Sequence, residues 1–449
     1  MIAAFLRNTL LAERHRRLAQ KVQLYGHDTN RDQIESFQVQ RFNEVWSRCL
    51  ASVPFYQSWQ RQYNLPRTIA RVADLRDFPP LTKEILLERS AEIFRGGTIT
   101  DAYTSGGSTG QPTRYPRGPG ELDQNWVNAY LARNWWGIAP TDPNVHLWGH
   151  AHLFGSGLAG RVAQLRRRVA DRALGLTRLN AYDLSEPALA KDYRALQASN
   201  PISISGYTSA IFKLARYIER NQLDLGEKTR LKAVILCSET ASEADVTLVR
   251  QVFKVPVAIE YGAAETGVIA MSDGSPTNIR VLWDSHIALV ADGGEVRLTT
   301  LTPRLFPLVN YAIRDLVVPG DIRDGNALTF KSVLGRSQDI VRVADGHGIL
   351  DLSAILPIHI LKSYDGVVGV QFEQVRPNHL HIHVETDRPI DIDDVRAHFV
   401  RELQRDHPSF DPSSVHFIRA SEPARTLAGK HTLFLNEYLR EWEPPDIVR

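Results

Sequence analysis

A chain of 449 residues, 43% hydrophobic and 23% charged, is long enough for two or three domains and has the ordinary balance of a soluble globular protein. With 53 basic against 51 acidic residues the net charge is +2, so bulk charge gives no argument for nucleic acid or an anionic membrane as partner. The two cysteines, Cys49 and Cys237, stand far apart in apolar company, which argues against a disulfide framework or a cysteine zinc site and makes the cytoplasm the expected compartment.

No apolar run approaches the roughly 18 residues of a membrane helix. The opening MIAAFLRNTLLAERHRRL has too short an apolar stretch, with its charges on the wrong side, for a secretory signal. Its Leu6, Leu10, Leu11 and Leu18 near one face predict a docked surface helix, although the pattern also suits a membrane surface. Residues 34 to 63 carry Phe37, Phe42, Val45, Trp46 and Leu50 at helical spacing, and Pro54 marks where that helix ends. A Pro-punctuated loop then leads to a helix entered at Thr82 as a plain N-cap.

Next comes YTSGGSTGQPT, Tyr103 to Thr113, whose glycines and hydroxyls can turn backbone N–H groups and side-chain donors toward an anion. It reads as a phosphate cradle. The nucleotide P-loop pattern fails, because Gly110 is followed by Gln111 and Pro112 rather than by Lys and Ser or Thr. The serine-hydrolase elbow, G-x-S-x-G, fits Gly106 to Gly110 but needs a strong strand before it and a helix after it. GGTITDAY is a poor strand, and Pro112 is poorly placed for an early helix.

Gly120 to Trp136 reads as an amphipathic helix, and NVHLWGHAHLFGSGLAG as a buried strand entering a glycine loop. Gly155 to Gly160 satisfies G-x-G-x-x-G, but the acidic residue expected about 20 positions on is missing, which disfavours a dinucleotide. Arg166, Arg167 and Arg168 lack interleaved aromatics and read as a solvated helix face. From Pro201 the pattern turns α/β: ISISGY, LKAVILC and VPVAIE are strands separated by helices. Open parallel sheets bind ligands at the carboxyl ends of their strands, which puts Ser238, Glu239 and Thr240, and Tyr261 to Glu265, where a nucleotide would lie.

From Asp339 onward the elements suit a small α+β unit. DLSAILPIHILK reads as a helix, VVGVQFEQV and HLHIHVE as strands, DDVRAHFVRELQRD as a helix and SVHFIR as a strand. His379, His381 and His383 share one face of HLHIHVE. Three imidazoles can ligate zinc, but no cysteine or carboxylate in the run completes a set, and the ordinary reading is the solvent face of a half-buried strand.

Five motifs together resemble the adenylate-forming superfamily of acyl-CoA ligases and luciferases, in the branch of phenylacetate-CoA ligase and the CapK-type proteins. They are Ser105 to Pro112, Glu260 to Glu265, Gly294 to Val317, Gly335 to Gly346 and the segment RTLAGK ending at Lys430, in the family's order over about 330 residues. The resemblance implies an α/β fold in which a large multi-sheet N-terminal adenylation domain, residues 1–337, is joined by a hinge at Gln338 to a small α+β C-terminal domain, residues 338–449. It also implies activation of a carboxylic acid by ATP with Mg²⁺, followed by acyl transfer to CoA or an amine. No nucleic acid and no membrane span are expected, and the oligomeric state stays open, a dimer among the options.

Residue roles carry over by matching. Thr104, Ser105, Ser108, Thr109 and the amides of Gly106, Gly107 and Gly110 would hold the outer phosphates, and Ser238, Glu239, Thr240, Gly262 and Ala263 would line the nucleotide. Tyr261 would stack on adenine, Asp315 accept the ribose hydroxyls, Arg336 lie near ribose or phosphate, and Glu265 bind the metal. Lys430, with Glu265 and Thr109, would carry the chemistry. Trp148, His150, Phe154, Gly155, Tyr207 and Thr208 would form an acyl pocket suited to an aryl or other apolar acid. The chain departs from the family at Gln111, Ala264, Ala312, Arg314 and Gln338; the departures at Gln111, Ala264 and Gln338 keep a catalytically idle binding or scaffold protein as the rival reading.

Overall fold

The computed structural model describes residues 11–95, 98–104, 114–149, 167, 170–172, 174–226, 229–336, 340–346, 348–376, 378–420, 424 and 433–435. Its N-terminal part is helical: α1 (Ala12–Gly26), α2 (Arg31–Ser52), α3 (Pro54–Tyr63), α4 (Lys83–Glu88) and the single turn α5 (Ser90–Ile93). Pro54 ends one helix and serves as the first residue of the next, where its missing N–H is harmless. Thr82 caps α4, its Oγ1 accepting from Ile85 N at 3.4 Å. The amino-terminal helix docks as expected: Leu18 and Tyr25 of α1 are buried against α6 (Glu121–Asn134) and its neighbours, and Lys21 reaches Asp284 at 2.6 Å. Leu6 and Leu10 lie outside the described residues.

β1 (Asp101–Thr104) and β2 (Arg114–Arg117) form an antiparallel ribbon. This corrects the expectation of a poor strand before the cradle: DAYT pairs with residues beyond the loop, a long-range partner that local propensity cannot register.

The centre of the molecule is a 13-stranded sheet. In chain order its strands are β3 (Asn144–Trp148), β4 (Leu176–Asn180), β5 (Ser203–Tyr207), β6 (Ala233–Cys237), β7 (Val257–Ala263), β8 (Gly267–Ser272), β9 (Ile279–Val281), β10 (His286–Val290), β11 (Glu295–Thr300), β12 (Tyr311–Pro319), β13 (Ile322–Arg323), β14 (Asn326–Ala327) and β15 (Thr329–Arg336). Their spatial order is 13-14-10-11-12-15-9-8-7-6-5-3-4, with strands 7, 6, 5, 3 and 4 parallel and the rest antiparallel. The parallel half is covered on both faces, as such sheets require. Val234 and Leu236 of β6 pack beneath α7 (Glu186–Ser199), α8 (Thr208–Arg220) and α9 (Glu243–Phe253), while Ala233, Ile235 and Cys237 face α1 and α6.

The remaining elements have a core of their own. β16 (Ile340–Asp345) and β17 (Gly348–Ser353) form a hairpin, α10 (Ile355–Lys362) follows, and β18 (Val367–Arg376), β19 (His379–Thr386) and β20 (Val415–Arg419) make a sheet under α11 (Ile392–Asp406). Here DLS belongs to β17 rather than to the helix that follows, because residues 348–353 pair across the hairpin with residues 340–345. This unit is tied to the large body by Lys213–Glu385 at 2.5 Å, Arg216–Asp387 at 2.7 Å and Lys362–Asp245 at 2.7 Å.

Candidate active site

The carboxyl ends of the parallel strands lie level, because Tyr207 pairs with Cys237 and Cys237 with Glu260. Gly206 lets β5 approach β3 closely, since a Cβ there would lie 2.2 Å from the Leu147 carbonyl oxygen. That brings Trp148 and Tyr207 together, ring centroids 4.2 Å apart, into one apolar wall. Burial, with a smaller repulsion from Glu239, raises the Tyr207 phenol well above its usual range, so it is neutral. Thr208 opens α8, and Glu239 accepts from Ser209 N at 2.7 Å, a carboxylate at a helix amino end where the dipole favours it. Ser238 follows β6 in the left-handed region, with φ 65°.

Glu265 sits on the tight connection from β7 to β8 and is only 8% exposed. Gly267, with φ 73°, makes that turn possible. The connection is braced from below. The buried Arg304 donates to the Glu265 backbone carbonyl and faces Glu121 at 3.5 Å; Glu121 in turn accepts from Gly118 N and Leu305 N at 2.7 and 2.9 Å. The carboxylate is oriented from β12, where the Tyr311 hydroxyl donates to Glu265 Oε1 at 3.1 Å. Tyr311 Oη also lies 3.1 Å from Tyr115 Oη on β2. The β1–β2 ribbon, which flanks the cradle in sequence, is therefore fastened to the acidic residue through two phenols.

Beside this pair the Tyr261 hydroxyl donates to Asp315 Oδ2 at 2.9 Å, and Asp315 stands opposite Arg336 in the β12–β15 register. Burial and the adjacent Asp315 carboxylate push the Tyr261 phenol up, so it acts as a donor. Arg314 occupies the glycine position of the family motif with φ 65°, and its guanidinium reaches Glu84 at 2.6 Å.

Lys83 lies near the same group and was not singled out from the sequence. Leu81 is bonded to β12 through Asn310 O and Ala312 N, which draws the start of α4 to the site. Burial first and Arg336 second lower the Lys83 pKa, against a raising effect of Glu265. A lysine at the first position of a helix, against the positive end of the dipole, is the sequence signal that could have found it.

Glu265, Tyr261, Asp315 and Arg336 are thus brought together, and Trp148, Tyr207, Thr208, Ser238, Glu239 and Thr240 stand on or just past the carboxyl ends of neighbouring strands. Thr104 ends β1 opposite Arg114, at the base of the cradle. Ser105, Gly106, Gly107, Ser108, Thr109, Gly110, Gln111, His150, Phe154, Gly155, the G-x-G-x-x-G run, Gln338 and Lys430 lie outside the described residues. Both flanks of the Lys430 segment are nevertheless anchored on β18. Ala424 exchanges two hydrogen bonds of 2.9 Å with the Gln371 amide, and residues 433–435 pair with Phe372 at 2.8 Å.

No family model matches the chain. It is 24% identical over 335 residues to phenylacetate-coenzyme A ligase of Escherichia coli (strain K12), covering 69% of this chain and 72% of that one. Over 358 residues it is 20% identical to Protein CapK of Staphylococcus aureus, covering 75% of each. Among solved structures it superposes on 2-hydroxyisobutyryl-CoA ligase in the postadenylation state with R3-HIB-AMP, with a TM-score of 0.66 and 15% identity over 89% of each chain. The open form of that ligase gives 0.54 and its thioesterification state 0.55. Among the described residues no helix is long and apolar enough to cross a membrane.

Proposed function

We infer the function from one premise, that this chain belongs to the adenylate-forming superfamily: it activates a carboxylic acid with ATP to an acyl-adenylate and passes the acyl group to CoA or an amine. The observation that carries this reading is the grouping of Glu265, Tyr261, Asp315 and Arg336, with the β1–β2 ribbon tied to Glu265 through Tyr115 and Tyr311.

In the first half-reaction a carboxylate oxygen attacks the α-phosphorus, the bond to the bridging oxygen breaks and pyrophosphate leaves. The protein's work is positioning and charge screening. The cradle Thr104 to Gly110 holds the outer phosphates, Asp315 the ribose hydroxyls, and Tyr261 the adenine. Glu265 suits Mg²⁺: it is a carboxylate with one oxygen fixed by Tyr311, and a hard cation prefers carboxylate and phosphate oxygens. Mg²⁺ bound there would screen phosphate charge. Lys83, close enough to feel both Glu265 and Arg336, supplies the cation that Gln111 does not bring to the cradle. Lys430 neutralises charge that builds between the carboxylate and the α-phosphate. In the second half-reaction a thiol or amine attacks the acyl carbon and AMP leaves. Trp148 and Tyr207 favour an aryl or other apolar acid.

The superposition is better on the postadenylation form of the hydroxyisobutyryl ligase than on its open or thioesterification forms, at nearly equal coverage. This supports placing the present arrangement on the adenylation side of a cycle in which the small unit, residues 338–449, turns about Gln338. The test is pyrophosphate release by purified protein with ATP, Mg²⁺ and a panel of aryl and aliphatic acids. Release that depends on the acid, and that Lys430→Ala abolishes while ATP still binds, supports the ligase. Absence of release with every acid would favour the idle binding protein.

A further inference from the structure

The solvent face of β19 carries a group that the reaction above leaves unused. Leu380, Ile382 and Val384 point into the core of the small unit, so the alternate residues His381 and His383 stand on the other face. The carboxylate that ends this histidine row, Glu385, is engaged by Lys213, but the neighbouring strand supplies another. Glu373 of β18 is the direct cross-strand partner of His381. Its Oε2 lies 3.1 Å from His381 Nδ1 and 3.3 Å from His383 Nε2, and one ligand atom from each of the three residues falls within 4.8 Å of the others. His379, at the start of the strand, is not part of the group; it pairs with Arg376 and its Nδ1 lies by Asn378.

We propose that Glu373, His381 and His383 bind a divalent transition-metal ion, zinc by the fit of their geometry. Zinc holds imidazole nitrogens and carboxylate oxygens at about 2.0–2.2 Å, so the edges of its tetrahedron measure roughly 3.3–3.5 Å. The two nitrogen-to-oxygen separations already lie near that length. Closing the remaining gap between the two nitrogens takes a rotation of two half-exposed rings. Two histidines and one carboxylate leave a fourth position, and His416, the partner of His381 on β20 with its ring 5.3 Å away, flanks it. Magnesium and calcium, which select oxygen donors, are disfavoured by two imidazoles. The site joins two adjacent strands and lies one register step from Gln371, the residue that holds Ala424.

The experiment is calorimetric titration of zinc chloride into metal-stripped, nucleotide-free full-length protein, with Glu373→Gln, His381→Ala and His383→Ala beside it and His379→Ala as the control. One zinc per chain is expected. Loss of any of the three ligands should weaken binding by more than the roughly 10–100-fold that outer-shell changes cost, and His379→Ala should leave it unchanged. Zinc should also raise the unfolding temperature of the wild type and not that of Glu373→Gln, a variant of nearly unchanged shape whose unfolding in chelator reports separately on folding. No saturable binding, or binding indifferent to all three substitutions, overturns the proposal.

Discussion

Tyr311→Phe isolates the link between the cradle ribbon and Glu265. The substitution removes one hydroxyl that serves two partners, donating to Glu265 Oε1 and meeting Tyr115 Oη, each at 3.1 Å. A hydrogen bond to a charged acceptor contributes about 1.5–3 kcal/mol, which at 1.36 kcal/mol per decade is roughly 10–150-fold in rate. We expect acid-dependent pyrophosphate release to fall by that factor and to need more Mg²⁺, because the carboxylate loses its fixed orientation. Stability should fall too, since the two buried hydrogen bonds of the Tyr311 hydroxyl are lost, each contributing about 0.5–1.5 kcal/mol net. Tyr115→Phe leaves the Tyr311 bond to Glu265 in place and should cost less activity. The double variant removes no further bond to Glu265, so its activity loss should match that of Tyr311→Phe. Measured are pyrophosphate release against Mg²⁺ concentration and urea midpoints for the four proteins. Equal activity losses for the two single variants, or recovery of activity in the double one, would refute the chain of contacts.

Asp315→Ala should weaken binding of a non-hydrolysable ATP analogue by about tenfold or more, because the ribose bonds exist in the ground state and Tyr261 loses its acceptor; unchanged affinity in a calorimetric titration contradicts this. His286 lies in the core with its pKa lowered to about 3 by burial first, then by Arg304 and Lys21. Its unfolded pKa, about 6.5, is the higher of the two, so the stabilising contribution is complete above that value and drains away as pH falls toward 3, by up to about 1.4 kcal/mol per unit. His286→Gln should flatten the stability profile between about pH 4.5 and 7, and parallel profiles in denaturant titrations would show that another group sets the slope. Lys362→Met removes a bidentate contact of 2.7 and 3.0 Å to Asp245 across the two units. A loss of about 1.5–3 kcal/mol of docking energy should appear as wider small-angle scattering and faster proteolysis near residue 340; unchanged profiles would place the docking energy elsewhere.

The parallel half of the sheet was legible because each strand is a short apolar run that ends in polar residues, as in LKAVILC followed by Ser238. The Thr82 cap and the alternation in HLHIHVE are equally local signals and could be read directly. Contacts made across the chain were not. DAYT becomes a strand only through residues 114–117, and GILDLS through its hairpin with residues 340–345. Tyr115, Lys83, Arg304 and Glu121 reach the site because β2, α4, the segment after β11 and α6 converge on the β7–β8 turn, a convergence that periodicity does not encode. Glu373 is the clearest case: it lies eight residues from His381 in sequence and directly opposite it in the sheet. Arg314 shows how a departure is absorbed. It accepts a left-handed backbone that usually costs about 1–2 kcal/mol outside glycine and gains an ion pair with Glu84.

The proposed cycle requires the join between the two units to open, and its ion pairs suit that requirement. A buried acceptor that loses its only partner is costly, and such a contact would lock the small unit in one pose. Asp245, fully buried, is different: it caps α9, accepting from Ser242 N at 2.8 Å and from Ser242 Oγ at 2.7 Å whether or not Lys362 is present. When Lys362 withdraws, the carboxylate keeps two bonds and the ammonium gains water. Arg216 likewise keeps Glu219 on its own helix at 2.9 Å when Asp387 departs. Each separating partner is thus left with local bonds or solvent, which keeps the difference between poses small enough for a bound adenylate or acceptor to decide it. A ligand shifts such an equilibrium only by its differential affinity, so a join of modest net energy is what the proposed cycle needs for Lys430 to serve the first half-reaction and leave for the second.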